Sequence, residues 1–187
     1  MKKIEILSPA GGFDKLKTAF LHGADAVYIG GKAFNLRAKS SNFSNEKLKE
    51  AVCFAHQQNK KVYVTLNILA HDREVKALPK FLQYLESIKV DAVIVADLGV
   101  IDIVQENSNI PIHISTQAST TNWRSVKMWQ RLGAKRVVLA RELSLDEIKR
   151  IKDKVPEMEL EVFAHGAMCM TYSGRCNLSQ YFSARDG

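Results

Sequence analysis

The chain has 187 residues, of which 46% are hydrophobic and 25% are charged. This is the composition of a globular domain with one ordinary core, and no run reaches the roughly 18–20 apolar residues of a membrane span. Lys and Arg number 27 against 20 Asp and Glu, so the net charge is +7. Such a balance is compatible with an anionic partner such as RNA and, about equally, with a mildly basic solvated surface. The three cysteines suggest no disulfide framework, and we expect a cytoplasmic protein.

Short β-rich runs alternate along the chain with amphipathic helical stretches. The predicted strands are residues 4–7, 26–29, 62–66, 92–96, 112–115, 136–139 and 160–163. Between them, the predicted helices are residues 12–22, 45–59, 73–88, 99–106, 122–132 and 144–154. Ser44 is a candidate N-cap, and Ser144 with Glu147 has the spacing of a capping box. Gly23 and Gly133 stand where helices end.

Strict alternation of strand and helix predicts a parallel sheet covered by helices. The strand cores are apolar throughout, as expected for strands buried on both faces. No G-x-G-x-x-G follows the first strand, so the pattern favours a TIM-type (β/α) barrel over a doubly wound nucleotide-binding sheet. We expect one barrel domain over residues 1–187, truncated before its last βα unit because such a barrel has eight strands. The alternative is an open barrel that borrows a strand from a partner.

Polar residues and glycines follow every predicted strand. In parallel barrels the chemistry lies at the carboxyl ends of the strands, so the collective pattern predicts a site there, although each residue taken singly is better explained as a cap or turn residue than as a catalyst. The long loop FNLRAKSSNF after the second strand holds Arg37, and it either contacts a nucleotide or carboxylate or packs across the barrel top. The residues at the strand ends are Ser8, Pro9, Tyr28, Gly30, Asn67, His71, Asp97, Ser115, Gln117, Arg141, Glu142 and His165.

Two cysteines, Cys169 and Cys176, lie where the chain leaves the last predicted strand, with Arg175 beside the second. A loop there can aim two thiolates at one metal or cluster, and a nearby positive charge favours the thiolate. Their spacing is not a general zinc or iron–sulfur motif, so a core thiol and a bystander remain the alternative. Cys53, within a helical pattern, is expected to be a buried core thiol. The chain has neither an H-x-x-x-H pair nor a G-x-S-x-G elbow.

The run EVFAHGAMCMTYSGRCNLS, residues 161–179, has a distinctive pattern. It reads Glu-x-Phe, two residues, Gly, a small residue, an aliphatic residue and Cys, then four residues, Gly-x-Cys, one residue, an aliphatic residue and Ser. It resembles the signature of the collagenase-like peptidase family U32, and the segments FNLRAKSSNFS, TTNW and TYSGRC look most like its tRNA-hydroxylation branch. The matching residues are Glu161, Phe163, Gly166, Ala167, Met168, Cys169, Gly174, Cys176, Leu178 and Ser179.

This resemblance implies a bacterial RNA-modifying enzyme that forms 5-hydroxyuridine at the wobble position of tRNA in a prephenate-linked process. It also implies a 4Fe–4S cluster in the full-length protein, with Cys169 and Cys176 as two ligands and the other two beyond Gly187. We expect tRNA as partner, a homo- or hetero-oligomer, and neither DNA nor membrane. The alternatives are a collagenase-like peptidase and a non-catalytic RNA-binding subunit. No catalytic residue stands out, and the candidate substrate-binding residues are Arg37, Asn67, Asp97, Gln117, Arg141 and His165.

Overall fold

The computed structural model describes residues 4–34, 42–68, 70–166 and 171–174. Within these residues, seven strands alternate with six α-helices, and one 3₁₀ turn, Thr116–Ala118, follows the fifth strand. The strands are β1 (Leu7–Pro9), β2 (Ala26–Gly30), β3 (Lys61–Leu66), β4 (Ala92–Val95), β5 (Ile112–Ile114), β6 (Arg136–Val138) and β7 (Glu159–Glu161). The helices are α1 (Phe13–Leu21), α2 (Asn45–His56), α3 (Asp72–Ser87), α4 (Leu98–Asn107), α5 (Trp123–Arg131) and α6 (Leu145–Lys154).

All the strands run parallel, in the order β1-β2-β3-β4-β5-β6-β7, and the sheet curls into an incomplete TIM-type barrel. The predicted fold class is therefore confirmed. Side chains alternate between the two faces of each strand, which produces two apolar layers. The larger layer packs the sheet against the helices, and Val64, Leu82 and Val93 are fully buried in it. A smaller layer, which includes Ala26, Tyr63 and Ile94, fills the concave interior.

Local sequence signals place the helix ends as predicted. Ser44 caps α2 by accepting a 3.3 Å hydrogen bond from the backbone N–H of Lys47. Ser144 and Glu147 form the predicted capping box at α6, in which the Ser144 N–H donates to Glu147 Oε2 at 2.8 Å. Gly23 and Gly133 follow α1 and α5 with φ of +95° and +80°. This left-handed backbone favours glycine and ends the helices.

The first strand differs from its prediction, because β1 begins at Leu7 rather than at residue 4. Ile6 bonds through its carbonyl to the backbone N–H groups of Asp25 and Ala26, but its own N–H is bound by the Asp25 side chain instead of by a neighbouring strand. Its N–H donates to Asp25 Oδ2 at 3.1 Å, and its carbonyl accepts from the Asp25 N–H at 2.8 Å. A side chain 19 residues away thus replaces one ladder bond, which no local pattern reveals.

A charged cluster occupies the barrel interior at the amino ends of the strands. We call Glu5, Tyr63, His113, Arg136, Glu159 and Glu161 the amino-end cluster. The Arg136 guanidinium lies 2.7 Å from Glu5, 2.8 Å from Glu159 and 3.3 Å from Glu161. Tyr63 donates its hydroxyl hydrogen to Glu5 at 2.7 Å, and its ring meets that of His113 edge to face. These contacts fill the amino end of the barrel interior and link its strands to one another.

Among the helices in the described part of the chain, none combines the length and the apolar character needed to cross a bilayer.

Candidate functional site

Two amides meet at the carboxyl ends of the strands. Asn67 directly follows β3 and donates from Nδ2 to Gln117 Oε1 at 2.6 Å, and Gln117 lies in the turn after β5. The buried Ser115 starts that turn, and its Oγ accepts the Gln117 N–H at 3.3 Å. Because parallel strands end at one edge, residues 50 positions apart come together here.

Ser173 links this turn to the end of β6. Its backbone N–H donates to Glu142 Oε1 at 2.7 Å, and its Oγ accepts the Arg141 N–H at 3.1 Å. The Ser119 hydroxyl donates to the Ser173 carbonyl. Ser173 is only 1% exposed. Three groups of one buried serine therefore fix residues 171–174 against two strand ends.

Gly174 makes the closest approach to the turn. Its φ is +76°, and a Cβ placed there would lie 2.3 Å from the carbonyl oxygen of Gln117. Backbone cannot yield as the tip of a side chain can, so this position requires glycine for both conformation and space. The family signature's Gly174 thus has a steric reason in this fold. We call Asn67, Ser115, Gln117, Ser119, Ser173 and Gly174, with Arg141 and Glu142, the mouth network.

The charge of Glu142 is stabilised within the mouth network. Desolvation acts to raise its pKa, but the hydrogen bond from the Ser173 N–H and the nearby Arg141 charge lower the pKa below its ordinary value. Glu142 therefore stays ionised and acts as an acceptor that holds the segment, rather than as a proton donor near neutral pH.

Arg141 also contacts the end of β7. Its guanidinium carbon lies 4.1 Å from the ring centroid of Phe163, which is a cation–π contact. Phe163 is 41% exposed although it is a large apolar side chain. The mouth network thus ends at an exposed aromatic ring whose position is fixed by a cation.

The structure brings together three of the predicted substrate-binding residues, Asn67, Gln117 and Arg141, through the contacts above. Asp97 has a different local role: its Oδ1 caps α4 by accepting the Val100 N–H at 3.0 Å. His165 is exposed near the end of the described residues that follow β7.

Other predicted site residues fall elsewhere. Arg37, Cys169, Cys176 and Ser179 lie outside the described residues. Phe34, at the start of the loop FNLRAKSSNF, packs its ring against Phe81 of α3 at 5.3 Å between centroids.

Two signature residues and one cysteine are also placed by the structure. Gly166 has a φ of +142°, and Glu161 belongs to the amino-end cluster rather than to the mouth. Burial raises the pKa of Glu161, although Arg136 opposes the shift. Cys53 was expected to be buried, and that prediction is wrong: it lies exposed on α2, because the apolar face of that helix is formed by Leu48, Ala51, Val52 and Ala55.

Sequence reasoning missed Ser119 and Ser173. Neither follows a predicted strand directly, and their contact spans 54 positions. The one available signal was Gly174, since a glycine next to a small polar residue often marks a tight turn. Within the described ranges, no three His, Cys, Asp or Glu side chains are grouped so that they could hold a metal ion.

The model for peptidase family U32 matches residues 11–187. This chain belongs to peptidase family U32. It is 48% identical over 185 residues to the tRNA hydroxylation protein P of Haemophilus influenzae, covering 98% of this chain and 40% of that protein. It is 39% identical over 183 residues to the 23S rRNA 5-hydroxycytidine C2501 synthase of Escherichia coli, covering 98% of this chain and 27% of that protein.

A solved structure agrees with the fold of this U32 chain. The U32 peptidase Mk0906 superposes with a TM-score of 0.70 at 18% identity, covering 86% of this chain and 68% of that one. At this identity the likeness establishes the fold alone. The U32 chain spans about two fifths of the length of the first two curated relatives, 40% and 41%.

Proposed function

We propose that this U32 chain is the barrel portion of an RNA-hydroxylating enzyme that forms 5-hydroxyuridine at the wobble position of tRNA. The observation that carries the proposal is the mouth network, which connects Asn67, Gln117 and Arg141 at the edge where barrels act. The similarity to two RNA-hydroxylating proteins supplies the reaction class. The net charge of +7 suits a polyanionic substrate.

In this proposal the mouth network binds and orients the target nucleotide. The Asn67 and Gln117 amides and the Arg141 guanidinium offer donors and acceptors to a base and its phosphates. Ser173 and Glu142 do not touch the substrate in this scheme. They hold the strand ends so that the recognising groups keep their geometry.

The proposed cluster site involves Cys169 and Cys176. Thiolates are the usual ligands of iron–sulfur clusters, so the donor chemistry fits, and a four-thiolate site needs two ligands more than this pair supplies. When bound, a 4Fe–4S cluster supplies electron-transfer chemistry. Replacing C5–H of uracil by C5–OH removes two electrons and adds one oxygen atom, so the reaction also consumes an oxygen-atom donor that is itself reduced by two electrons. Prephenate is the proposed small-molecule substrate. The short segment fixed by Ser173 lies between the two cysteines in sequence.

The experiment uses the full-length protein in cells that lack their own 5-hydroxyuridine pathway, with tRNA nucleosides measured by mass spectrometry. We expect 5-hydroxyuridine with the wild type, a loss of at least tenfold with Gln117→Ala, and none with Cys169→Ala or Cys176→Ala. Gln58→Ala is the matched control, because Gln58 lies exposed after α2 and its side chain donates to the Phe54 carbonyl, away from the mouth network. Absence of 5-hydroxyuridine with the wild type would overturn the proposal.

Two further measurements separate the rival functions. Iron, sulfide and visible absorption are measured on protein purified anaerobically, and a colourless, iron-free wild type contradicts the cluster. Cleavage of denatured collagen is followed through successive purification steps. Peptidase activity that copurifies with the protein, in the absence of RNA hydroxylation, favours the peptidase alternative that the family name records.

A further inference from the structure

Phe163 is an unusual residue for the mouth of a barrel. It lies two positions after Glu161 at the end of β7, and its ring is 41% exposed. The Arg141 guanidinium covers one face of this ring at 4.1 Å.

Both partners of this contact are held by backbone interactions. The Arg141 N–H donates to the buried Ser173, and the N–H of Leu139, two residues earlier, donates to the Glu161 carbonyl at 2.9 Å. The latter bond ties the end of β6 to β7 just before Phe163. The ring is thus displayed on rigid elements rather than on a loose loop, so stacking on it costs little conformational entropy.

An exposed aromatic ring beside a cation has the chemistry of a base-stacking site. Every nucleobase has a π-face that stacks on aromatic side chains, and the positive charge attracts the adjacent phosphates. A protein that acts on an unpaired base also has to hold that base outside the RNA stack. Among the described residues, Phe163 belongs to neither apolar core cluster.

We propose that Phe163 is the stacking platform for one unpaired uracil base, with the Arg141 guanidinium fixed behind the ring. This inference rests on the proposed function, because that function supplies RNA as the ligand. It adds a specificity residue: Phe163 holds the target base by its face, the Asn67 and Gln117 amides contact the base edge, and the Arg141 charge behind the ring attracts the flanking phosphates. The binding step breaks no covalent bond.

The test uses the full-length protein and two short anticodon stem-loop RNAs, one with uridine at the wobble position and one with an abasic site there. Wild type is expected to bind the uridine RNA roughly five- to a hundredfold more tightly than the abasic RNA. Phe163→Leu, which keeps the apolar volume but removes the π-face, is expected to bind both RNAs equally. Phe54→Leu is the matched control, because Phe54 lies on α2 against Phe13.

A second variant keeps the test decisive if Phe163→Leu folds poorly. Phe163→Trp retains an aromatic face, so it should bind the uridine RNA at least as tightly as wild type. Its added fluorescence should be quenched by the uridine RNA and not by the abasic RNA, with the wild type, which has Trp123 and Trp129, as the background.

The outcomes separate the two proposals. If wild type forms 5-hydroxyuridine and Phe163→Leu still distinguishes the two RNAs, or Phe163→Trp shows no quenching specific to uridine, the stacking platform is wrong and the proposed function stands. If wild type neither binds the stem-loop nor modifies tRNA, the proposed function itself fails, and the platform fails with it.

Discussion

The guanidinium Nη1 of Arg136 lies 2.7 Å from Oε1 of Glu5, although the two residues are 131 positions apart in sequence. Arg136 begins β6, and Glu5 precedes β1. The same guanidinium also contacts Glu159 and Glu161 of β7. One side chain therefore ties the first strand of the described sheet to its last two strands across the barrel interior.

This tie predicts that Arg136→Met destabilises the protein strongly. The substitution keeps an apolar stem but leaves the largely buried carboxylate of Glu161 without the Arg136 cation, and it leaves Glu5 paired with Lys61 alone. Removing one partner of a largely buried ion pair costs about 3 kcal/mol or more of unfolding free energy, mainly through the charge left behind. Urea unfolding measures the loss, and the amount of Arg136→Met that remains folded at low urea shows whether the barrel survives.

Lys47→Met is the matched control for that prediction. Lys47 and Glu50 form a 2.6 Å pair on α2, but both side chains are exposed. Exposed pairs of this kind contribute less than about 0.5 kcal/mol. Equal unfolding free energies for the two variants would show that the amino-end cluster does not hold the barrel together.

The burial of His113 leads us to predict that the stability of the protein depends on pH. Burial, with the positive charge of Arg136, lowers the pKa of His113 from 6.5 to about 3. Between these values the unfolded chain binds a proton that the folded protein does not, so stability is full above about pH 6.5 and falls on acidification. The largest slope from this one group is about 1.4 kcal/mol per pH unit.

Two carboxylates also affect how the stability changes at acid pH. Desolvation opposes the shift of Glu5, but hydrogen bonds from Arg136, Lys61 and Tyr63 lower its pKa to about 2, so it adds a further loss of stability below about pH 4.5. The raised pKa of Glu161 has the opposite sign and acts above pH 4.5, because there the folded protein binds a proton that the unfolded chain does not. It offsets part of the loss from His113, so the His113 contribution is the difference between wild type and His113→Gln in the window from pH 5 to 6.5. Urea midpoints of wild type and His113→Gln across this window check the assignment, which fails if both fall equally with acid.

The strands and helices were predictable because their signals are local. An apolar run such as residues 92–96 predicts a buried strand by itself. The pair Ser144 and Glu147 predicts the start of a helix from four consecutive residues. The prediction that Cys53 is buried was wrong for a local reason as well. The apolar stripe of α2 leaves Cys53 on the solvent side, and its spacing from Leu48 and Val52 already places it off that stripe.

The site was predictable only as a location. Strand ends placed Asn67, Gln117 and Arg141 at one edge, but their connections run through Ser119 and Ser173, whose contact depends on how a later segment folds back. Asp97 shows how one position can have two roles, since an acidic residue at a strand end and just before a helix is also an N-cap and serves as one here. Sequence pattern cannot rank these two roles without the tertiary neighbours.

The Gln117–Gly174 contact predicts a localised effect of Gly174→Ala. The added Cβ would overlap the Gln117 carbonyl at 2.3 Å, so residues 171–174 must move away and lose the bonds of Ser173. We expect faster hydrogen exchange at the amides of Ser173 and Arg141. Ser173→Ala should speed exchange at Arg141 alone, because the Ser173 N–H can still donate to Glu142.

Gly23→Ala is the control for Gly174→Ala, because it introduces the backbone strain of a positive φ without a steric overlap. Gly23 has a φ of +95° but no atom within 4 Å of its would-be Cβ, so the substitution costs only the left-handed conformation, about 1–2 kcal/mol. Exchange at the mouth should be unchanged in this variant. If Gly174→Ala behaves as Gly23→Ala does, the close approach to Gln117 does not hold the mouth network.

Cys53 provides the final prediction, because it differs from the two proposed cluster ligands in its surroundings. It lies exposed on α2, and its Sγ accepts a weak 3.8 Å contact from Gln57 Nε2. Cys53→Ser in the full-length protein should change the unfolding free energy by less than about 0.5 kcal/mol and leave the iron content intact. Cys169→Ser and Cys176→Ser should each lose the iron, since a cluster held by thiolates needs every ligand that the proposal assigns. Iron analysis of the three variants decides this: equal loss in Cys53→Ser would place Cys53 among the ligands and exclude a cluster site confined to residues after β7.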